Sequence, residues 1–160
     1  MPWSGPKTSL SDDRYQVERP LCEVNAFVEM NDQEIETIKK YLTWHQAPNG
    51  SRLIEQSAEE DWLLIIVQGR TRVELALSPE EARHIVSIMC SGRLIGELAF
   101  VDHKPRSASV FALGKVAYWQ MVYSDFLNLQ QEDSWTAHQL MQGIANEIST
   151  KLRISDRMIR

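Results

Sequence analysis

The apolar positions near the start of the chain follow a helical period. Ile35, Ile38 and Leu42 recur at spacings of three and four, and Asn31 stands before them with a glutamate three residues later. This arrangement is similar to a capping box, in which the first side chain accepts a hydrogen bond from the backbone of the first turn. It predicts a short amphipathic helix that ends near Tyr41.

The apolar residues from Trp44 to Met121 form short runs separated by turn residues. We expect turns at 48–50, at Gly69 with Arg70, and at Gly114, and an exposed connection over 77–81. Closely spaced short strands with glycine turns are typical of an antiparallel barrel or jelly roll. The predicted strands are 44–47, 52–55, 62–68, 71–76, 84–89, 107–113 and 115–121.

The helical period returns after Ser124, first in a short segment and then from Asp133 to the end of the chain. The long segment has an apolar stripe with two interpretations. The stripe packs on its own barrel, or it pairs with a second copy in a symmetric dimer, which the a/d-like spacing favours. Its members are Leu140, Ile144, Ile148 and Leu152, with Met141 and Ala145 beside them.

These patterns predict a mostly β domain with flanking helices. The length of 160 residues is that of one ordinary domain. We assign residues 1–20 to a flexible N-terminal tail, 21–130 to the barrel domain and 131–160 to a C-terminal helix that serves as lid or dimer helix.

Composition narrows the class of protein. A net charge of -5 disfavours a nucleic-acid reader. Cys22 and Cys90 lie far apart and are best read as reduced thiols of a cytoplasmic protein. The N-terminus has no apolar signal-peptide core, and the longest apolar run, 62–67, is far shorter than the roughly 20 residues of a membrane span, so no membrane association is expected.

One segment carries a specific chemical signal. Gly96 precedes one predicted helical turn, where a glycine lets the backbone approach a ligand and the first free N–H groups favour an anion. Arg106 adds a planar cation suited to phosphate oxygens, and Ser107 adds a hydroxyl. Glu97 repels phosphate, unless it accepts a hydrogen bond from a hydroxyl of the same ligand. A ribose phosphate meets both demands; the other interpretation is a surface turn with an ordinary Glu97–Arg106 ion pair.

Taken jointly, Gly96-Glu97-Leu98-Ala99-Phe100 and Pro105-Arg106-Ser107 resemble the phosphate-binding cassette of the cyclic nucleotide-binding domain family. Bacterial catabolite activator proteins and kinase regulatory subunits share this cassette. The resemblance runs from about Val24 to Leu129, and the helix that follows resembles the dimer helix of the family. It implies a double-stranded β-helix, or jelly-roll barrel, with a long C-terminal helix, in which residues 21–130 form the cyclic nucleotide-binding domain.

The resemblance also implies a ligand, a cyclic nucleotide, with cAMP expected over cGMP. Glu97 would hold the ribose 2'-hydroxyl, and Arg106 would hold the exocyclic phosphate oxygens. The backbone of Leu98 and Ala99, together with Ser107, would hold the rest of the phosphate. Gly96 would permit the approach.

The chain departs from the family pattern at two places. A glycine often stands shortly before the proline in the family, whereas this chain has Asp102-His103-Lys104. In the catabolite activators a Thr-Ser pair on the long helix meets the adenine, and counting from the cassette arginine places that pair at Lys151 and Leu152. We take Lys151, with Ser149 and Thr150 just before it, as candidate base contacts.

We expect a regulatory module and not an enzyme. The four histidines show no metal-ligand spacing, so no metal is expected, and no G-x-S-x-G nucleophile elbow is present. The ligand would bias the terminal helix, which signals to a separate effector protein; a homodimer is expected, and no DNA binding, because no winged helix follows. The alternative is a ligand-free, degenerate domain that acts as a protein-interaction scaffold. We also expect that Arg106, at a cavity mouth, can be lost with the fold intact.

Overall fold

The computed structural model describes residues 18–159, so most of the predicted tail, 1–20, lies outside the described residues. Two 3-10 turns, Leu21–Glu23 and Asn25–Phe27, precede the first helix. The helices are α1 (Asp32–Lys39), α2 (Glu97–Asp102), α3 (Tyr123–Glu132) and α4 (Ser134–Ile159). The strands are β1 (Thr43–Ala47), β2 (Arg52–Ile54), β3 (Leu63–Leu75), β4 (His84–Cys90), β5 (Arg93–Ile95) and β6 (Ser109–Met121).

The first helix begins where the capping pattern predicts. The side chain of Asn31 accepts a hydrogen bond from the backbone N–H of Glu34 at 2.9 Å, and α1 follows directly. Ile35 and Ile38 are buried, so the apolar face of the helix packs on the core. The prediction of a short amphipathic helix here is confirmed.

The strands form one antiparallel sheet that wraps into the predicted jelly roll. Its central path is β1-β6-β3-β4, with β2 added to β6 and β5 added to β3. The long strands β3 and β6 pair along almost their whole length, from Leu63 opposite Met121 to Glu74 opposite Ser109. Helices flank this sheet, and the predicted fold class is confirmed.

Two of the predicted turns are wrong, because the chain passes straight through them. Gly69 lies inside β3 and Gly114 inside β6, both at positive φ, 88° and 80°. The β3–β6 register shifts on both sides of Gln68, which is the signature of a bulge. The pairs of strands predicted at 62–68 and 71–76, and at 107–113 and 115–121, are therefore one long strand each. Strand β5 lies in a segment for which the sequence pattern predicts no strand.

The apolar stripe of α4 is buried against its own barrel along its first half. Leu140 and Ile144 are fully buried in the main core cluster, and Ile148 packs against the same cluster. Leu152, the last member of the stripe, is 61% exposed. Leu140 and Ile144 thus pack on their own barrel and not on a second copy, because they have no exposed surface left.

The structure also describes both cysteines and the helices that could be considered as membrane spans. Cys22 and Cys90 are both free and exposed. Within residues 18–159, none of the helices combines the length and the apolar character that crossing a bilayer requires.

Candidate ligand-binding site

A cavity of about 380 Å³ opens between the barrel and the last turns of α4. Its volume falls within the range of roughly 300–1,000 Å³ that is usual for small-molecule sites. The strands supply mainly apolar walls, with Ser87 and Arg93 as polar exceptions, and the other polar groups come from Gly96–Ser107, called the cassette below, and from α4. The lining includes Ile54, Val73, Met89, Ile95 and Val110 from the strands, Gly96, Glu97, Leu98, Ala99, Arg106 and Ser107 from the cassette, and Lys151, Ile154 and Ser155 from α4.

Gly96 is required by both its conformation and its surroundings. Its φ is +82°, and a Cβ atom there would lie 2.6 Å from Nη1 of Arg106 and 3.1 Å from the carbonyl oxygen of Trp62. At the other end of α2, His103 has a φ of 57° and donates its backbone N–H to the carbonyl of Ala99 at 2.9 Å. This left-handed position, which glycine adopts without strain, lies in the segment where the family often has its glycine.

Arg106 is held inside the fold by its own backbone and side chain. Its main chain makes two hydrogen bonds to the 57–58 segment, at 2.8 and 2.9 Å. Its side chain is 2% exposed and donates from Nη1 to the carbonyl of Gly96 at 3.0 Å and from Nη2 to the carbonyl of Trp62 at 2.6 Å. The guanidinium carbon lies 4.5 Å from the centre of the Trp62 ring. The expected position of Arg106 at a cavity mouth is therefore wrong, because its buried side chain joins two segments of the fold.

One donor of Arg106 is left without an acceptor among the described residues. Nε is buried and makes no hydrogen bond, and the nearest carboxylate oxygen, on Glu60, lies 4.0 Å away. Burial lowers the pKa of the guanidinium, against the opposing effect of the nearby carboxylates of Glu60, Asp61 and Glu97. An arginine stays protonated at any physiological pH, so this is a buried positive donor. A phosphate oxygen would satisfy it.

Glu97 forms an ion pair with Lys151, a partner that the sequence did not predict. Its carboxylate is buried, and Lys151 of α4 donates from Nζ to Oε1 at 2.8 Å. The same ammonium also donates to the carbonyl of Leu94 at 2.7 Å. The Glu97–Arg106 ion pair that a simple surface turn would contain is not formed, because Glu97 pairs with Lys151 of the terminal helix.

The cavity collects most of the residues singled out in the sequence, but not all of them. All six cassette residues predicted to contact the ligand line it, and so does Lys151. Ser149 and Thr150 are exposed and lie outside the lining. Ile154 and Ser155 were missed; they lie three and four residues after Lys151, which is the spacing that places residues on one helix face.

Among residues that the structure describes, no three His, Cys, Asp or Glu side chains come together in a group that could hold a cation.

Comparisons with known proteins identify the family of this chain. A family model described as cyclic nucleotide-binding domain matches residues 44–133. The chain is 38% identical over 68 residues to the cAMP-dependent protein kinase type II regulatory subunit of Drosophila melanogaster. That match covers 42% of this chain and 18% of the Drosophila protein, so the chain corresponds to a small part of that relative.

Solved structures share the fold at low sequence identity. A cyclic nucleotide-binding domain from Methylobacillus flagellatus superposes with a TM-score of 0.80 at 22% identity, over 87% of this chain and 80% of that one. The catabolite activator protein of Thermus thermophilus gives a TM-score of 0.73 at 19% identity, over 84% and 61% of the two chains. The regulatory domain of Toxoplasma gondii PKA, crystallised with cAMP, gives a TM-score of 0.65 at 21% identity, over 79% of this chain and 47% of that one. The family match over more than half of the chain, on the fold that these structures share, shows that this protein belongs to the cyclic nucleotide-binding domain family.

Proposed function

We propose that this domain binds a 3',5'-cyclic nucleotide in the cavity, cAMP in preference to cGMP, and releases it unchanged. The observation that carries the proposal is that Arg106 lines the cavity and its buried Nε makes no hydrogen bond to any described residue. The cassette also places the buried carboxylate of Glu97 in the same cavity. A ligand with one anionic phosphate and one free hydroxyl complements both groups. The preference for cAMP is supported by relatives whose names include it, the Drosophila and Toxoplasma proteins.

The proposed contacts follow the cassette. Arg106 holds the exocyclic phosphate oxygens with its free Nε, and Glu97 accepts the hydrogen bond of the ribose 2'-hydroxyl. The backbone of Leu98 and Ala99 and the hydroxyl of Ser107 complete the phosphate site, which Gly96 leaves open for close approach. Of the three candidate base contacts, only Lys151 lines the cavity; Ser149 and Thr150 are exposed and lie outside the lining.

The regulatory part of the proposal rests on α4. Lys151, Ile154 and Ser155 belong to the same cavity as the cassette, so a ligand there contacts the helix and the barrel at once. We infer that occupancy changes how the last turns of α4 are held and that a separate effector protein reads this change. The ligand-free scaffold is less well supported, because the buried donor of Arg106 would then stay unsatisfied, which costs about 1–3 kcal/mol or more for a charged group.

Isothermal titration calorimetry with cAMP, cGMP and 2'-deoxy-cAMP tests the proposal. We expect Arg106→Leu to weaken cAMP binding by about 30- to 1,000-fold, because a charge-assisted phosphate contact is lost. Glu97→Ala should weaken cAMP binding more than 2'-deoxy-cAMP binding, because the deoxy ligand has no hydroxyl to lose. Arg52→Leu and Glu55→Ala are the matched controls; they form an exposed ion pair outside the cavity lining and should leave all affinities unchanged.

Three outcomes would contradict the proposal. Equal affinities across wild type, Arg106→Leu and Glu97→Ala would place the ligand elsewhere. No binding of any of the three nucleotides would favour the scaffold function. Linear AMP that appears during overnight incubation, in proportion to the protein, would show turnover.

A further inference from the structure

Four charged side chains meet where α4 crosses the barrel, behind the proposed ribose site. Arg93 of β5 and Glu97 of α2 come from the barrel side, and Glu147 and Lys151 come from α4. The side chains of Glu97 and Glu147 are 9% and 3% exposed, so both carboxylates are shielded from water. Because water screens charges less in such surroundings, the interaction energy between a cation and these carboxylates depends more strongly on their distance than it does at a surface.

Lys151 stands between two carboxylates and is bonded to one of them. Its Nζ lies 2.8 Å from Oε1 of Glu97 and 4.0 Å from Oε1 of Glu147, which is one helical turn earlier. The Glu147 oxygen is buried and accepts no hydrogen bond from any described residue. Nε of Arg93 lies 3.2 Å from it, within ion-pair range but not aligned for a hydrogen bond. A buried acceptor that faces the Arg93 cation but accepts no hydrogen bond thus lies next to a flexible ammonium.

We propose that Lys151 is a two-position side chain that competes with the ligand for Glu97. Without ligand, the ammonium occupies the carboxylate that would accept the ribose 2'-hydroxyl. When the hydroxyl binds Glu97, the ammonium moves to Oε1 of Glu147, which accepts no hydrogen bond in the ligand-free protein. This inference rests on the proposed function, since it requires a hydroxyl-bearing ligand at Glu97.

The exchange has two consequences for the site. It lowers the affinity that a 2'-hydroxyl adds, because binding that hydroxyl displaces the charge-assisted hydrogen bond from Lys151 to Glu97. It also replaces a bond between α4 and the cassette with a bond inside α4, from Lys151 to Glu147. Ligand occupancy therefore loosens the last turns of the helix from the barrel, and the hydroxyl is the part of the ligand that does so.

The test is the ratio of the dissociation constants of 2'-deoxy-cAMP and cAMP, measured by calorimetry on the full chain. Both ligands carry the same phosphate, so any general effect of the Lys151 charge on phosphate binding cancels in this ratio. We expect Lys151→Met to raise the ratio about 3- to 10-fold over wild type, because the competitor of the hydroxyl is gone. Glu147→Gln should lower the ratio below that of wild type, because the displaced ammonium loses its charged destination.

Lys39→Met is the matched control, since it removes an exposed Lys–Glu pair on α1 and should leave the ratio unchanged. Thermal denaturation without ligand checks that each variant is folded, and Lys151→Gln replaces Lys151→Met if the latter does not fold. A wild type that binds cAMP, with the same ratio in the Lys151 and Glu147 variants, would overturn this inference alone. A wild type that binds neither nucleotide would overturn the proposed function and this inference with it.

Discussion

Gly143 of α4 lies directly against the main-chain carbonyl of Ala26. A Cβ atom on Gly143 would overlap the oxygen of that carbonyl, so a glycine is needed for the helix to approach the 3-10 turn Asn25–Phe27. The close approach helps to bring Leu140 and Ile144 into the core. It also directs the helix toward the cavity, where Lys151 meets the cassette.

Gly143→Ala should reduce the free energy of unfolding by about 1–3 kcal/mol, because the added methyl group meets a backbone atom that cannot move aside cheaply. Urea denaturation followed by tryptophan fluorescence measures the change. Ser149→Ala, at an exposed position of the same helix, is the control and should be neutral or slightly stabilising. A Gly143→Ala protein as stable as wild type would show that helix propensity, which favours alanine by about 1 kcal/mol, outweighs the contact.

Gly69→Ala and Gly50→Ala should separate steric overlap from backbone strain. Both glycines have positive φ, +88° and +82°, but a Cβ on Gly69 would overlap the carbonyl oxygen of Lys115, whereas Gly50 faces open space. Gly50→Ala should cost only the left-handed conformation, about 1–2 kcal/mol, and Gly69→Ala clearly more. Chemical denaturation of both variants provides the comparison, and equal losses would argue against the tight β3–β6 bulge.

Arg106→Leu should destabilise the ligand-free protein, apart from any effect on binding. The carbonyl of Trp62 would lose its arginine donor, and that of Gly96 would keep only the N–H of Phe100 at 3.3 Å; an unsatisfied buried carbonyl costs about 1–3 kcal/mol. Thermal denaturation without nucleotide measures the loss, with the exposed Arg52→Leu as the control. If the melting temperatures of Arg106→Leu and wild type agree, the two carbonyls are satisfied in another way.

Asp133 should make the stability of α4 depend on pH in the acid range. Its carboxylate accepts hydrogen bonds from the hydroxyl and the backbone N–H of Thr136, at 2.6 and 3.0 Å, and these bonds lower its pKa. A carboxyl whose pKa is lower in the folded protein stabilises it above the unfolded pKa, near 4, and this contribution is lost as pH falls through the folded value.

Asp133→Ala should therefore be less stable than wild type at pH 7, and the difference should shrink on acidification. Asp133→Asn is the control, since its amide oxygen still caps the helix without titrating. Melting curves from pH 7 down to about pH 2 measure both, across the range where a carboxyl of low pKa is protonated. A stability difference that does not change over this range would contradict the assignment of the shifted pKa to the cap.

The short-range features of this protein were readable from the sequence. The start of α1 depends on Asn31 and a backbone group three residues away, and the long helix depends on the repeat of its apolar residues. The cassette was recognisable for a similar reason, because its glycine, carboxylate and arginine lie within eleven residues of each other. Such features follow from local spacing, which the order of residues states directly.

The features that join distant segments were decided by the tertiary structure. A glycine at positive φ serves a turn and a bulge equally well, and the strand opposite Gly69 determines which of the two forms. Arg106 turns inward because the carbonyls of Gly96 and Trp62 are brought to it by the sheet, the second from 44 residues away. The Lys151–Glu97 pair spans 54 residues, and it exists because Gly143 lets α4 pack on its own barrel. No local pattern specifies these partners, since burial and the closeness of remote backbone arise only when the chain has folded.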